Sequence, residues 1–548
     1  MSNLQSTHFS NLKIWLDEHI LLLIAGFLLV FIPLFPKIPF FSPIETYIVR
    51  VRIEDFLILL AGLIWLVQLF RKKIKFKSAT GWIIVSYLVV GLLSVISALF
   101  IIKTVPLTTD HVLKTVLHYC RYLEYFSLFF IVYSSISKPR DAKLLLTIIS
   151  VSILLIGIYG YGQKYLYWPV YSTMNREFSK GIRLYLTEHA RVQSTFAGHY
   201  DLAAYLVIVL PILLTLAYTT SKKALKVVLF VLQFLGVWLL IMSAARTSFA
   251  AYGLATVIVV TLLGFRKEKV WPKIYWITSR FAGLWMVIFL MMASFGSDIY
   301  DRFLQVIDSY PQLYQPYAVV EKNINDSSHK IITYLHLDSL INKSDSPPAN
   351  SLSTAEAAIL VASDERPIAA RPKDVYSDIP DKVVVATTSA TGTVETIVVE
   401  RPRVWSENAL QYGLSMAIRL DTLWPRAIQG FIRNPLFGSG YATLNKTSFT
   451  DFTIADSTDN NFLRTLGETG FLGFITFYGA VISGVVIAIR GIKNKKNQFL
   501  IAFSIGYLAA TCGLLFNALY IDVFAASKVA FTFWAVTGLF LGYHEVSK

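Results

Sequence analysis

Apolar runs of roughly 17 to 25 residues, the length needed for a helix to cross a bilayer, recur along the chain between short stretches of charged or turn residues. They lie near 19–36, 53–70, 80–102, 117–136, 142–162 and 201–219, then 224–242, 246–265, 278–295, 462–489, 498–518 and 524–543. The pattern predicts an all-α integral membrane protein of about twelve transmembrane helices, with a large extracytoplasmic insertion between the ninth and tenth. The implied organisation is an N-terminal membrane domain over 1–295, the insertion over 296–461 and a C-terminal membrane domain over 462–548.

Charge gives these runs a direction. Arg71, Lys72, Lys73, Lys75 and Lys77 share one connection, and Lys138, Arg140 and Lys143 another two runs later. Lys222, Lys223 and Lys226, then Arg266, Lys267, Lys269 and Lys273, then Arg490, Lys493, Lys495 and Lys496 continue the alternation. Basic loops stay on the cytoplasmic side, which places both termini inside and the long connections 163–200 and 296–461 outside. The N-terminal stretch, lacking a basic region with a small-residue cleavage site, reads as a retained anchor.

Composition agrees: 55% of the 548 residues are hydrophobic, more than one soluble core could bury. The net charge of +15 would suggest nucleic acid in a soluble chain, but here it follows the short loops, and no nucleic-acid partner is expected. Cys120 and Cys512, the only cysteines, both fall in apolar runs and form no disulfide framework.

Within the insertion, 323–404 is rich in Ser, Asp, Pro and Ala and is expected to be largely mobile. "KVVVATTSATGTVETIVVE" could form a small hairpin around its Thr-Gly turn. From Ser406 the apolar positions Leu410, Leu414, Ala417, Ile418, Trp424, Ile428 and Phe431 suit an amphipathic helix over 406–433 lying on a membrane surface, broken or restarted at Pro425.

Four places concentrate ionisable groups. Arg191, His199 and Asp201 stand before the sixth run, where they could bind a charged substrate or serve as ordinary interfacial residues. Arg246 sits at the edge of a run, where it could fork two oxygens of a diphosphate or snorkel to the interface. Arg419, Arg426 and Arg433 recur every seven residues, and of these Arg419 is the preferred ligand; a basic stripe on lipid head groups is the alternative. Gly438 and Gly440 in "NPLFGSGY" permit close approach of backbone to a bound group. Asp456, Asp459, Asn460, Arg464 and Glu468 open the tenth run, where a carboxylate could accept a hydroxyl proton, or Asp459 or Asn460 could cap the helix. Arg121 and Glu124 should pair with each other inside the bundle, a structural role. No D-x-D and no helical histidine pair offers a ligand set, so no metal and no cofactor is expected.

Taken together, "RVQSTFAGHYDLAAYL", "SAARTS", "NPLFGSGY" and "DNNFLRTLGETGFLG" resemble the motifs of the O-antigen ligase and polymerase superfamily of bacterial envelope glycosyltransferases. The last two blocks carry the likeness best, being similar to that family's N-P-[LIV]-x-G-x-G followed by H-N-x-[YF]-L-x-x-x-x-E-x-G-x-x-G. The resemblance implies a polysaccharide polymerase or ligase of the bacterial cytoplasmic membrane. Such an enzyme transfers an undecaprenyl-diphosphate-linked glycan to an acceptor glycan, lipid or protein, with other assembly proteins as possible partners. It implies Arg246 and Arg419 as catalytic residues that hold the diphosphate, and Asp459 as the base. Arg191, His199, Asn460 and Arg464 would bind substrate. Asp459 stands where the ligases have histidine, which looks more like the polymerase branches. The rival from another class is a lipid-linked glycan flippase, which should show internally related halves and no large outer domain; a non-catalytic scaffold would leave the buried arginines unexplained.

Overall fold

The computed structural model describes residues 2–44, 50–74, 78–174, 178–187, 190–296, 381–388, 394–401, 406–412, 414–444, 457–494 and 496–547, with 2–13, 381–388 and 394–401 described by backbone alone. The chain divides into two compact units, Met1–Ile299 with Leu423–Lys548, and Tyr300–Thr422.

The first unit is helical. Its long elements are α1 (Ser2–Leu34), α2 (Ile53–Phe70), α3 (Ala79–Ile96, continued by a π-turn to Ile101), α4 (Thr109–Ser135), α5 (Pro139–Tyr165), α6 (His199–Thr219), α7 (Lys223–Met242), α8 (Arg246–Gly264) and α9 (Val270–Phe295). Among the described residues, ten helices are long and apolar enough to cross a membrane: α1 over Ile14–Leu34, α2, α3, α5 to α9, and two near the C-terminus, Asn461–Ile492 and Gln498–Asn517. The chain is a multi-pass membrane protein.

Two of the twelve runs read from the sequence fall outside this count of ten, and both have a physical reason. The last helix, Ser527–Val546, is buried from Lys528 to Tyr543 and packs on α4, α5 and α6. Protein, not lipid, is its solvent, so polar residues can be satisfied internally. In α4, Lys114 donates to the Ala442 carbonyl (3.2 Å) and Arg121 bonds to Asp55 (2.5 Å), so its charges too are held by partners. The centre of the unit is α6, packed against Gln498–Asn517 and α8 around Leu214, Ala255, Val259, Ile501, Ile505 and Ala509.

Successive helices reverse direction, so their connections gather at two ends. At one end Arg71 and Lys73 pair with Asp17, and Arg266 donates to the Ile492 carbonyl. The described parts of the basic connections, 71–74, 78, 136–138, 220–222, 265–269, 493–494 and 496–497, all lie at this end. At the other end the Val192 N–H bonds the Met242 carbonyl (3.0 Å) and the Asn461 N–H bonds that of Ala518 (2.9 Å). The described parts of the connections, 35–44, 50–52, 102–108, 166–174, 178–187, 190–198, 243–245, 434–444, 457–460 and 518–526, gather there.

In the second unit, β1 (Asp381–Thr388) and β2 (Val394–Arg401) pair antiparallel from Asp381↔Arg401 to Thr388↔Val394, the hairpin expected from the sequence. The rest of the expectation for 323–404 lies outside the described residues. The helix expected over 406–433 is divided: α10 (Glu407–Tyr412) and α11 (Leu414–Ile418) lie in this unit, a π-turn spans Arg419–Leu423, and α12 (Trp424–Arg433) belongs to the first unit. Pro425 stands in the first turn of α12, where its missing N–H costs nothing, so the helix restarts there.

Candidate functional site

The two most specific sequence blocks meet back to back. Asn461–Ile492, here α13, is broken at Gly470 (φ 67°, ψ −167°), and the turn after α12 lies against that break. Ser439 and Gly440 donate to the carbonyls of Gly467 and Glu468 (2.8 and 3.0 Å), while Phe471 and Leu472 donate to those of Pro435 and Leu436 (2.8 and 3.2 Å). A Cβ on Gly438 would come within 2.4 Å of the Glu468 backbone, and one on Gly470 within 2.5 Å of the Gly438 nitrogen. The glycines therefore serve contact between two backbone segments. Gly438, expected to let the backbone approach a bound group, here lets it approach the Glu468 backbone, whereas a Cβ on Gly440 would meet Ala98 (2.5 Å).

That crossing fixes the start of α13. Asn460 is its N-cap, accepting from the Leu463 N–H (3.0 Å), so Asp459 does not cap the helix. Asp459 adopts a left-handed backbone (φ 51°), which a short polar residue tolerates, and its carboxylate accepts from Ser457 Oγ (2.7 Å). Behind this turn lies Asp522, which the sequence reading passed over. It accepts from the N–H groups of Thr458 (2.8 Å) and Asn460 (3.1 Å), from Ser457 Oγ (3.1 Å) and from Arg464 Nη1 (3.0 Å). Arg464 also reaches Glu468 (3.4 Å), whose other oxygen accepts from the Ala442 N–H (3.0 Å). Asp522 is thus the anchor that shapes 457–460.

A second buried charge cluster lies at the same end. Lys37 bonds Glu54 (2.6 Å) and Ser527, and Lys528 is caged by the carbonyls of Pro33, Phe35 and Thr195 (3.0, 2.8 and 2.7 Å). Burial pushes the Lys37 ammonium below its ordinary pKa, with Glu54 opposing that shift. Arg121 pairs with Glu124 (3.1 Å), as expected, and additionally with Asp55 (2.5 Å) and the Arg50 carbonyl (2.9 Å). Lys528, like Glu54, Asp55 and Arg121, is a charge inside an apolar run, the kind of signal in the sequence that could have marked this cluster.

Between these clusters opens a cavity of about 990 Å³. Lys37, Arg50, Arg52, Arg121 and Arg464 supply cations to its wall, against the carboxylates of Asp55, Glu124 and Asp201, with Ser457 beside Arg464. Below them the wall turns apolar along α2 and α4.

The expected site residues divide among these places. Arg464 lines the cavity, and Asp459 stands one hydrogen bond behind its wall through Ser457. Arg191 donates to His199 Nε2 (2.5 Å), joining two expected substrate residues. Arg246 opens α8, half-buried and off the cavity wall. Asn517 bonds Ser248 in that first turn (2.9 Å) and neighbours Ala518, which bonds Asn461, so the starts of α8 and α13 share one anchor. Arg419 belongs to the second unit, where it donates to the Ser415 carbonyl (2.8 Å) and hydroxyl (2.9 Å). Among the described residues, no three His, Cys, Asp or Glu side chains group as metal ligands. Comparison with protein-family models and with curated proteins found no match to this chain.

Proposed function

We propose that this protein is a twelve-span glycosyltransferase of the bacterial cytoplasmic membrane. In this reading both termini are cytoplasmic, and a polyprenyl-diphosphate-linked glycan is transferred to an acceptor on the outer face. The carrying observation is the cavity: a cationic chamber at the end of the bundle remote from the basic loops, continuous with an apolar flank and bordered by Ser457 and Arg464. A lipid-linked anion needs both surfaces in one place, and a soluble substrate would need only the first.

Asp459 is the proposed base. Its carboxylate faces the Ser457 hydroxyl and is fixed by a turn that Asp522 holds rigid, the support a proton acceptor requires for its geometry. Arg246 is proposed to stabilise negative charge that builds up as the diphosphate leaves. Arg246 stands at the positive end of α8, where helix dipole and guanidinium both favour an anion. Arg191, His199, Asn460 and Arg464 complete the proposed substrate contacts.

The test is reconstitution of the full-length protein in vesicles with a lipid-linked oligosaccharide and its acceptor. Longer or transferred glycan, formed equally with and without chelator, is expected. Movement of the intact lipid-linked glycan across the bilayer without new glycosidic bonds would replace the transferase by a flippase.

A further inference from the structure

The wall of the cavity is not uniform. Its polar part is gathered at the start of α2, and its apolar part follows Ile58, Gly62 and Trp65 down one face of that helix, at the three- and four-residue steps of a helical stripe. Arg52 and Leu66 both border the cavity, so it extends roughly 20 Å along α2 at 1.5 Å per residue, most of the depth of a bilayer's apolar core. Leu59 and Leu63 on the same wall are 61% and 51% exposed, so the groove opens sideways toward lipid. At its middle, a Cβ built on Gly62 would meet nothing within 4 Å.

The cations at the top are not equivalent. Lys37 is engaged by Glu54, and Arg121 by Asp55 and Glu124. Arg50 is only 5% exposed, lines the cavity, and its Nε has no hydrogen-bond partner; the buried Nε of Arg52 has none either. An arginine Nε–H buried without a partner is costly, and a phosphate group would supply oxygens in the geometry the fork requires.

We propose that the α2–α4 groove is the seat of the carrier lipid: Arg50 and Arg52 hold the diphosphate of a polyprenyl diphosphate, and its chain runs past Ile58, Gly62 and Trp65. The identity of the lipid rests on the transferase reading above, whereas the groove and its cations do not. The glycan attached to the distal phosphate then points across the chamber toward Arg464 and Ser457.

The experiment measures retention of undecaprenyl diphosphate by the full-length protein in phosphatidylethanolamine nanodiscs, using native mass spectrometry. Arg50→Gln with Arg52→Gln should weaken retention about a hundredfold, and the paired Lys variants less, because each charged contact to phosphate is worth roughly tenfold. Gly62→Leu fills open space, so it leaves the fold intact. It should weaken retention of the long carrier about tenfold while sparing a two-isoprene diphosphate, whose chain stops short of Gly62. Wild-type retention in a folded Gln double variant, or in Gly62→Leu, would overturn the proposal. So would competition by inorganic pyrophosphate or phosphatidylglycerol as strong as by the carrier itself. Retention as expected, with no glycan transfer in the reconstituted assay, would refute the transferase and leave the groove standing.

Discussion

The two ends of the helical bundle both carry many charges, and they handle them in opposite ways. At the basic end Arg71 and Asp17 keep 48% and 27% of their side-chain surface in water. At the cavity end Lys37 and Glu54 retain 2% each, and Arg464 and Asp522 retain 9% and 8%. Exposed pairs gain little because water screens them, whereas each buried ion forfeits hydration worth several kcal/mol that its partners must return. In the orientation proposed above, charge at the basic end serves to keep that end on the cytoplasmic side, which needs number and not geometry. At the cavity end every charge has a defined place, which is what recognition of an anion requires.

The largest contrast between the ends should be in access. In a background with Cys120→Ala and Cys512→Ala, cysteine placed at Tyr520 should label in intact cells with an impermeant reagent, and cysteine at Lys72 only after the membrane is ruptured. The opposite result would invert the bundle and remove the proposed site from the outer face.

Activity comes next. Arg246→Ala and Asp459→Asn should each reduce glycan transfer by about a hundred- to a thousandfold, the usual consequence of removing one group that acts on charge in a transition state, while the protein still inserts. Arg246→Lys should recover only part, since the bidentate fork is lost. Because Asn460, not Asp459, caps α13, Asp459→Asn leaves the helix start intact, and loss of transfer would report on basicity. Arg266→Ala, at the basic end, should transfer glycan at the wild-type rate.

How far these contrasts were legible in the sequence depends on what each one rests on. The runs and the alternation of basic loops could be read because a bilayer imposes length, apolarity and sidedness on each segment separately. The helix Ser527–Val546 was read as a span, yet it falls outside the ten, since a helix surrounded by other helices is released from the apolar requirement. Polar partnership was harder still. Lys37 meets Ser527 across 490 positions, and Thr104 meets the Ser439 carbonyl across 335, with no periodicity linking them. Asp522 looked like one carboxylate in a short loop, and only the fold shows four donors converging on it. Gly438 was noticed in its own block alone, whereas its purpose is its contact with the backbone around Gly470 in the other block.

Stability should then separate the two kinds of ion pair. Asp522→Ala leaves Arg464 only its longer contact to Glu468 and strands two N–H groups in a buried site, a loss of about 3 kcal/mol by analogy with other broken buried pairs. A large fall in melting temperature of the detergent-solubilised protein is expected, together with loss of transfer as the 457–460 turn relaxes. Asp522→Asn keeps two acceptor lone pairs and should lie between. A melting temperature unchanged in Asp522→Ala would mean that the turn is held by something other than this carboxylate.

The smallest effect is expected from the mirror-image change at the basic end. Asp17 gathers Arg71 through two hydrogen bonds (2.6 and 2.8 Å), Lys73, and Gln68 (3.0 Å), so by count of contacts it rivals Asp522. Counting contacts would therefore assign it a similar weight. Arg71 and Lys73 nevertheless stand in water, where each is rehydrated at once when Asp17→Asn releases it, and the amide oxygen of the new side chain can still accept from the buried Gln68. The melting temperature of Asp17→Asn should match that of the wild type, and labelling at Lys72 should stay on the same side, because the substitution adds to the positive balance that orients the loop. A destabilisation as large as that of Asp522→Ala would show that the end read here as solvent-exposed is packed against something, and would dissolve the distinction between the two ends.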